Sequence, residues 1–156
     1  MFTLKLTIKF HHYATIISER VDYMFEELKS IINNAYAPIS NYKVAAAVVT
    51  KDNKVYKGVN VEDASYRAGS CAERVAIFGA LADGVKKGDF KEINIMVSSG
   101  KIGTPCFVCR QMILELFEKE AIVRCYSTNG DVQEFTVEEL CPHPFTEEDL
   151  KWKVDL

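Results

Sequence analysis

The chain has 156 residues, 48% hydrophobic and 26% charged, which is enough apolar material for one domain with its own core. Its net charge is −3 and no Lys/Arg stripe runs along it, so a long nucleic-acid backbone is not an expected ligand. No apolar run approaches the roughly 20 residues that span a bilayer, so no membrane partner is expected either. A small neutral molecule suits this surface better.

In chain order, residues 1–18 read as an N-terminal extension, with Phe2, Leu4, Leu6, Ile8 and Phe10 in weak strand-like alternation and without the pattern of a secretory signal. Residues 19–156 read as a single catalytic domain. ERVDYMFEELKSIINNAY (19–36) has Val21, Phe25, Leu28 and Ile32 at helical spacing, and Pro38 helps to stop it. VAAAVVT, KDNK and VYKGVNV read as strand, turn and strand. CAERVAIFGALA (71–82) is a helix with Gly84 just beyond it, FKEINIMV (90–97) a strand, and PCFVCRQMILELF (105–117) a helix with Ile113, Leu116 and Phe117 facing a core. AIVRCYS and VQEFTV are strands around the hairpin signal TNGD, and the segment from Val137 onward is a short helical turn and loop. Five strands with helices interleaved predict an α/β fold whose sheet carries helices on both faces. Ala72, Ala76 and Gly79 form a small-residue strip, suited to close backbone approach either within the chain or across a subunit interface.

The five cysteines are an odd number in a chain that needs no staples, which favours a reducing, cytoplasmic setting. Cys71 opens one predicted helix. Thr104 as N-cap and Pro105 as first residue put Cys106 and Cys109 in the first turn of the next. Positive helix ends favour thiolates, the metal-binding form. If the two starts converge, three sulfurs can hold one Zn2+ per chain and leave its fourth position open. Cys125 and Cys141 read instead as packing residues. Three thiolates overbalance a divalent ion, so Arg74 and Arg110 are candidates to donate hydrogen bonds to the sulfurs, although either could be a solvent-facing ion pair. Glu73 has two readings. Ser70-x-x-Glu73 fits a capping box, yet a carboxylate two residues past a zinc ligand can also reach the metal's water and move its protons.

At these residues the sequence resembles the small cytidine deaminases. NVEDASY (60–66) looks like the family's nucleoside-binding stretch, CAERVAI and PCFVCRQ like its two zinc motifs, and YAPISNYKVAAA and VEELCPHPF like its flanking motifs, over about residues 20–150. The resemblance implies a cytidine deaminase-like fold with a mixed five-stranded sheet. It implies zinc on Cys71, Cys106 and Cys109, and Glu73 as proton shuttle in hydrolytic deamination of cytidine or deoxycytidine. It further implies ribose held by Asn60 and Glu62, the pyrimidine packed by Tyr42, and its carbonyl held by the Ala72 amide. The family's homotetramers would place Tyr66 and Phe145 partly in a neighbour's site. Asn60 could instead serve a loop backbone, Glu62 the surface, and Tyr42, Tyr66 and Phe145 ordinary packing. His11, His12 and His143 lie in no ligand-spacing motif. Phe107 and Val108, Ala45, Asp63, Ile39 and Cys141 depart from the family's usual residues, as does the stretch between Tyr66 and Cys71. Two other readings share part of this pattern: a deaminase of a modified or antibiotic cytosine nucleoside, and a structural zinc protein, which would normally close its site with four ligands.

Overall fold

The computed structural model describes residues 18–150. The alternation expected between Phe2 and Phe10, His11 and His12, and all but the last residue of the proposed extension lie outside that range. The described chain opens with helix α1 at residues 18–31, followed by a 3-10 turn at Ile32–Asn34. Then come β1 (Val44–Thr50), β2 (Val55–Val59), α2 (Ala72–Ala82), β3 (Phe90–Val97), α3 (Phe107–Leu116), β4 (Phe117–Ser127), β5 (Val132–Thr136) and the one-turn α4 (Val137–Leu140). The five strands form one sheet in the order β2-β1-β3-β4-β5. It is mixed, as expected. β3 and β4 are parallel and joined through α3, while every other neighbouring pair is antiparallel. No helix among the described residues is long and apolar enough to cross a membrane.

Both faces of the sheet are covered. Alternate residues point to opposite sides. Ala45, Ala47, Val49, Met96 and Tyr126 meet α1 through Met24, Leu28 and Ile32. Ala46, Val48, Ile93, Ile95, Val123 and Cys125 meet α2, α3 and α4. The buried stripe is therefore Met24 and Leu28 of α1, continued by Ile32 of the 3-10 turn, with Val21 and Phe25 only partly buried beside it. Met24, not among the positions expected at helical spacing, is part of this stripe. β4 begins at Phe117, directly after α3, because Phe117 leaves helical geometry to stack on Phe90 at 4.7 Å.

The α1 face also buries a polar network that the sequence reading did not anticipate. Asn94 and Tyr126 are wholly buried, Glu92 and Arg124 nearly so. Glu92 accepts from Arg20 Nε and Asn94 Nδ2, both at 3.1 Å. Asn94 Oδ1 accepts from Arg124 and from the Tyr126 hydroxyl, each at 3.2 Å, and Arg124 Nε donates to Glu134 at 2.6 Å. One network thus ties α1 to β3, β4 and β5.

Two of the three residues of the small-residue strip, Ala72 and Ala76, belong to the chain's own core. Ala72 and Ala76 are wholly buried against β2, where Gly58 lies so close that a Cβ there would sit 2.5 Å from both the Ala72 carbonyl oxygen and the Ala76 nitrogen. Gly79 is not part of this contact. A Cβ on Gly79 would meet nothing within 4 Å, and Ala80 continues the buried row instead. The two glycines therefore respond oppositely to alanine. Gly58→Ala forces α2 off the sheet and is expected to cost about 3 kcal/mol. Gly79→Ala adds helix propensity in open space and is expected to gain about 0.5 kcal/mol. Thermal unfolding at matched zinc content should show the midpoints moving in opposite directions.

Candidate active site

α2 and α3 deliver their N-terminal ends to one place. Cys71 is the N-cap of α2, with extended backbone (φ −70°, ψ 152°). Cys106 is the N-cap of α3, also extended (φ −64°, ψ 162°), and Cys109 is its third helical residue. Both helix starts come one or two residues later than the sequence suggested. Thr104 does not cap α3 and Pro105 is not its first residue. The Thr104 hydroxyl accepts from Arg110 at 2.9 Å, and the Pro105 carbonyl accepts from Arg110 Nε at 2.8 Å.

The Cys71, Cys106 and Cys109 sulfurs all lie within 4.8 Å of one another, and those of Cys71 and Cys106 are 3.9 Å apart. Zinc–sulfur bonds of about 2.3 Å in a tetrahedron hold sulfurs about 3.8 Å apart, so this cluster fits a zinc ion. Cys109, donating to the Cys71 sulfur, pulls the Cys71 thiol down to about 5; Cys106 and the Arg74 guanidinium add to the shift. The same hydrogen bond, reinforced by burial, pushes Cys109 up. Cys125 is buried in β4, where burial pushes its thiol up to about 12, and Cys141 donates to the Arg110 carbonyl at 3.6 Å. Neither joins the cluster.

Glu73 is 4% exposed and belongs to the first turn of α2. The Ser70 capping box does not form. Cys71 occupies the N-cap with no side-chain cap bond, and the Ser70 hydroxyl contacts only the Cys71 carbonyl, at 3.5 Å. Burial raises the pKa of Glu73, and the charge on Cys71 pushes it the same way. A capping box does occur elsewhere, where Thr136 and Glu139 start α4.

Glu73, Cys71 and Cys106 line a cavity of about 200 Å3 together with Ser40, Tyr42, Asn60 and Glu62. Here the amide of Asn60 is largely committed to backbone. Oδ1 accepts from the Val44 amide at 2.8 Å and Nδ2 donates to the Tyr42 carbonyl at 2.9 Å. Glu62 Oε2 accepts from the amides of Ile39 (2.8 Å) and Ser40 (3.1 Å), while Oε1 accepts from the Ser40 hydroxyl. These bonds lower the pKa of Glu62, the Ser40 hydroxyl foremost. Ser40 is not among the residues expected from the sequence; its signal is a hydroxyl within the turn that begins at Pro38. Ala72 is wholly buried beside Cys71.

Arg110, Tyr66, Phe145 and Arg74 do not line this cavity. Arg110, expected at the sulfurs, gives its guanidinium to Thr104, Pro105 and the Leu140 carbonyl (3.0 Å) and lies over the Phe107 ring, so it braces the loop that carries Cys106. Tyr66 lines an adjoining pocket with Asn60, Glu62, Cys71 and Arg74, and is 79% exposed in left-handed backbone (φ 59°). Phe145 is exposed in a groove with Lys87 and Glu147, and its carbonyl accepts from Gln111. Arg74 stays near Cys71, with a buried Nε that has no hydrogen-bond partner among the described residues.

Residues 18–125 match the model of the cytidine and deoxycytidylate deaminase zinc-binding region. The chain belongs to this deaminase family. A cytidine deaminase of Sporosarcina psychrophila is 35% identical over 135 residues, covering 86% of this chain and 98% of that protein. One from Halalkalibacterium halodurans is 40% identical over 116 residues, 74% of this chain and 86% of that protein. The crystal structure of a cytidine deaminase from Burkholderia pseudomallei superposes with a TM-score of 0.76 at 41% identity, covering 80% of this chain and 98% of that one. The enzyme takes one zinc per chain, and the three-sulfur cluster is the group among the described residues whose spacing fits it.

Metal analysis of purified variants checks the ligand set. Cys71→Ala, Cys106→Ala and Cys109→Ala are each expected to fall far below one zinc per chain, while Cys125→Ala and Cys141→Ala keep wild-type content. Full zinc in any of the first three removes that residue from the set.

Proposed function

We propose that this deaminase hydrolyses cytidine and deoxycytidine to uridine and deoxyuridine, with Glu73 as the group that carries the proton. The observation that carries this reading is the placement of Glu73. Its carboxyl is buried in the cavity that Cys71 and Cys106 line, and it has no capping bond to occupy it. When bound, zinc supplies the Lewis acidity that makes water nucleophilic near neutral pH. Glu73 takes a proton from that water and places it on N3 of the ring. The water oxygen joins C4; Glu73 then takes the remaining proton of the new C4 hydroxyl and passes it to the exocyclic nitrogen, and as the C4–N bond breaks ammonia leaves and the C4 carbonyl forms. Cys71, Cys106 and Cys109 hold the metal, and Arg74 offsets the excess negative charge of the sulfurs.

The sugar end uses what the protein's own bonds leave free. Both lone pairs of Glu62 Oε2 are taken, but Oε1 keeps one; Asn60 keeps one N–H. One acceptor and one donor on residues two apart, just beyond the end of β2, suit the sugar hydroxyls. Tyr42, half exposed at the cavity wall, packs against the pyrimidine, and the Ala72 amide holds its carbonyl. Tyr66 and Phe145, both exposed, serve sites completed by neighbours in a homotetramer. An enzyme whose five cysteines are all free suits a reducing compartment such as the cytoplasm.

Two measurements test this. Glu73→Gln is nearly isosteric but cannot carry the proton. It is expected to keep its fold and zinc yet release ammonia from cytidine at least about 100-fold more slowly than wild type. Wild-type turnover in that variant would remove Glu73 from the chemistry. Light scattering should give the mass of four chains; a fully active monomer would leave Tyr66 and Phe145 without a neighbour's site to complete.

A further inference from the structure

Eight residues, 62–69, form a loop between the sugar-end residues and the first zinc ligand. Its base is closed by a reciprocal backbone pair, Val61 N–H to the Ser70 carbonyl and Ser70 N–H to the Val61 carbonyl, both at 2.9 Å. Inside it one side chain makes the cross-tie. Asp63 accepts from the Ser65 amide at 2.8 Å and from the Ser65 hydroxyl with Oδ1, and from the Gly69 amide at 2.5 Å with Oδ2. Its own carbonyl accepts from the Tyr66 amide at 3.1 Å. Gly69 is the matching half. A Cβ there would lie 2.6 Å from the Val61 carbonyl oxygen and 3.2 Å from Asp63 Oδ2.

We propose that Asp63 is a positioning residue, whose carboxylate sets the distance between Glu62 and Cys71 and so aligns the sugar end of the substrate with the zinc end. The proposal rests on the sugar-binding reading of Glu62. Glu62 precedes the tie and Cys71 follows Ser70, so slack between Asp63 and Gly69 is transmitted to both. An amide cannot replace the carboxylate fully. Three N–H or O–H donors converge on its two oxygens, and asparagine offers one oxygen and turns a donor toward one of them.

The test compares Asp63→Ala, Asp63→Asn, Glu62→Gln and the double variant Glu62→Gln/Asp63→Ala, all at measured zinc content. Asp63→Ala is expected to raise KM for cytidine about 10-fold with kcat nearly unchanged, the sign of lost uniform binding. Asp63→Asn should fall between it and wild type. Because Asp63 acts through Glu62, adding Asp63→Ala to Glu62→Gln should change KM by less than about two-fold. Independently of turnover, trypsin should cut after the exposed Arg67 several-fold faster in Asp63→Ala than in wild type. Unchanged KM and unchanged cleavage overturn the proposal, as do additive effects with Glu62→Gln or a loss that follows zinc content. A wild-type protein that does not turn over cytidine refutes the sugar-binding reading instead, and faster cleavage then leaves the loop tie standing without its catalytic role.

Discussion

Three cysteine sulfurs within 4.8 Å of one another, which become thiolates on a metal, are the demand around which this protein is arranged. Like charges so close repel strongly in any medium less polar than water. The fold meets the demand with a divalent ion and with two helix ends. Cys71 and Cys106 are N-caps and Cys109 is in a first turn, so each sulfur sits where unpaired backbone N–H groups gather and the helix dipole favours negative charge. Aiming two helix starts at one point requires both helices to be fixed on the sheet. α2 is fixed by contact with β2, which Gly58 makes possible. α3 is fixed by its direct run into β4 and by Arg110, which gathers Thr104, Pro105 and Leu140 around the approach to Cys106.

The parts legible in the sequence were those written in periodicity and spacing. The two hairpins, the central strands, the α/β order and the three sulfur ligands all carry local patterns, and the described residues reproduce them. What was not legible turned on single-residue boundaries. Ser70 and Thr104 are both good caps by type, yet the helices begin after Cys71 and Cys106 because tertiary contacts decide where a helix starts. That shift of one residue dissolves the capping box at Ser70 and leaves Glu73 without a cap bond. Gly79 lies outside the α2–β2 contact for a related reason: a strip drawn from spacing does not say which of its residues meets the sheet. Arg110 was misplaced because a guanidinium can reach several acceptors, and the sequence does not rank two backbone carbonyls and a hydroxyl above a sulfur.

The two faces of the sheet are chemically unlike, and the difference bears on the site. Beneath α2 and α3 the strands present Ile93, Ile95, Val123 and Cys125, an apolar floor under the sulfurs and Glu73. Ile95 and Val97 reach the cavity itself. Low polarity there strengthens each electrostatic interaction among the ligands, the metal and the carboxyl. Beneath α1 the same strands present Glu92, Asn94, Arg124 and Tyr126, joined to Arg20 and Glu134.

This asymmetry gives the sheet one acceptable register. Side chains alternate with period two, so a slip of one residue in β3 or β4 would turn Glu92, Asn94 and Arg124 into the apolar floor and Ile93 and Ile95 toward α1. A charge buried without its partner costs several kcal/mol, and here the charges of two strands would be stranded together. The polar network therefore need not add net stability to matter. Its members penalise every other alignment of β3 and β4, the two strands whose connection is α3. Fixing their register fixes the height at which α3 begins, and with it the distance from Cys106 and Cys109 to Cys71. The polar network on one face thus works with the Gly58 contact and Arg110 in bringing the sulfurs on the other to metal-binding distance.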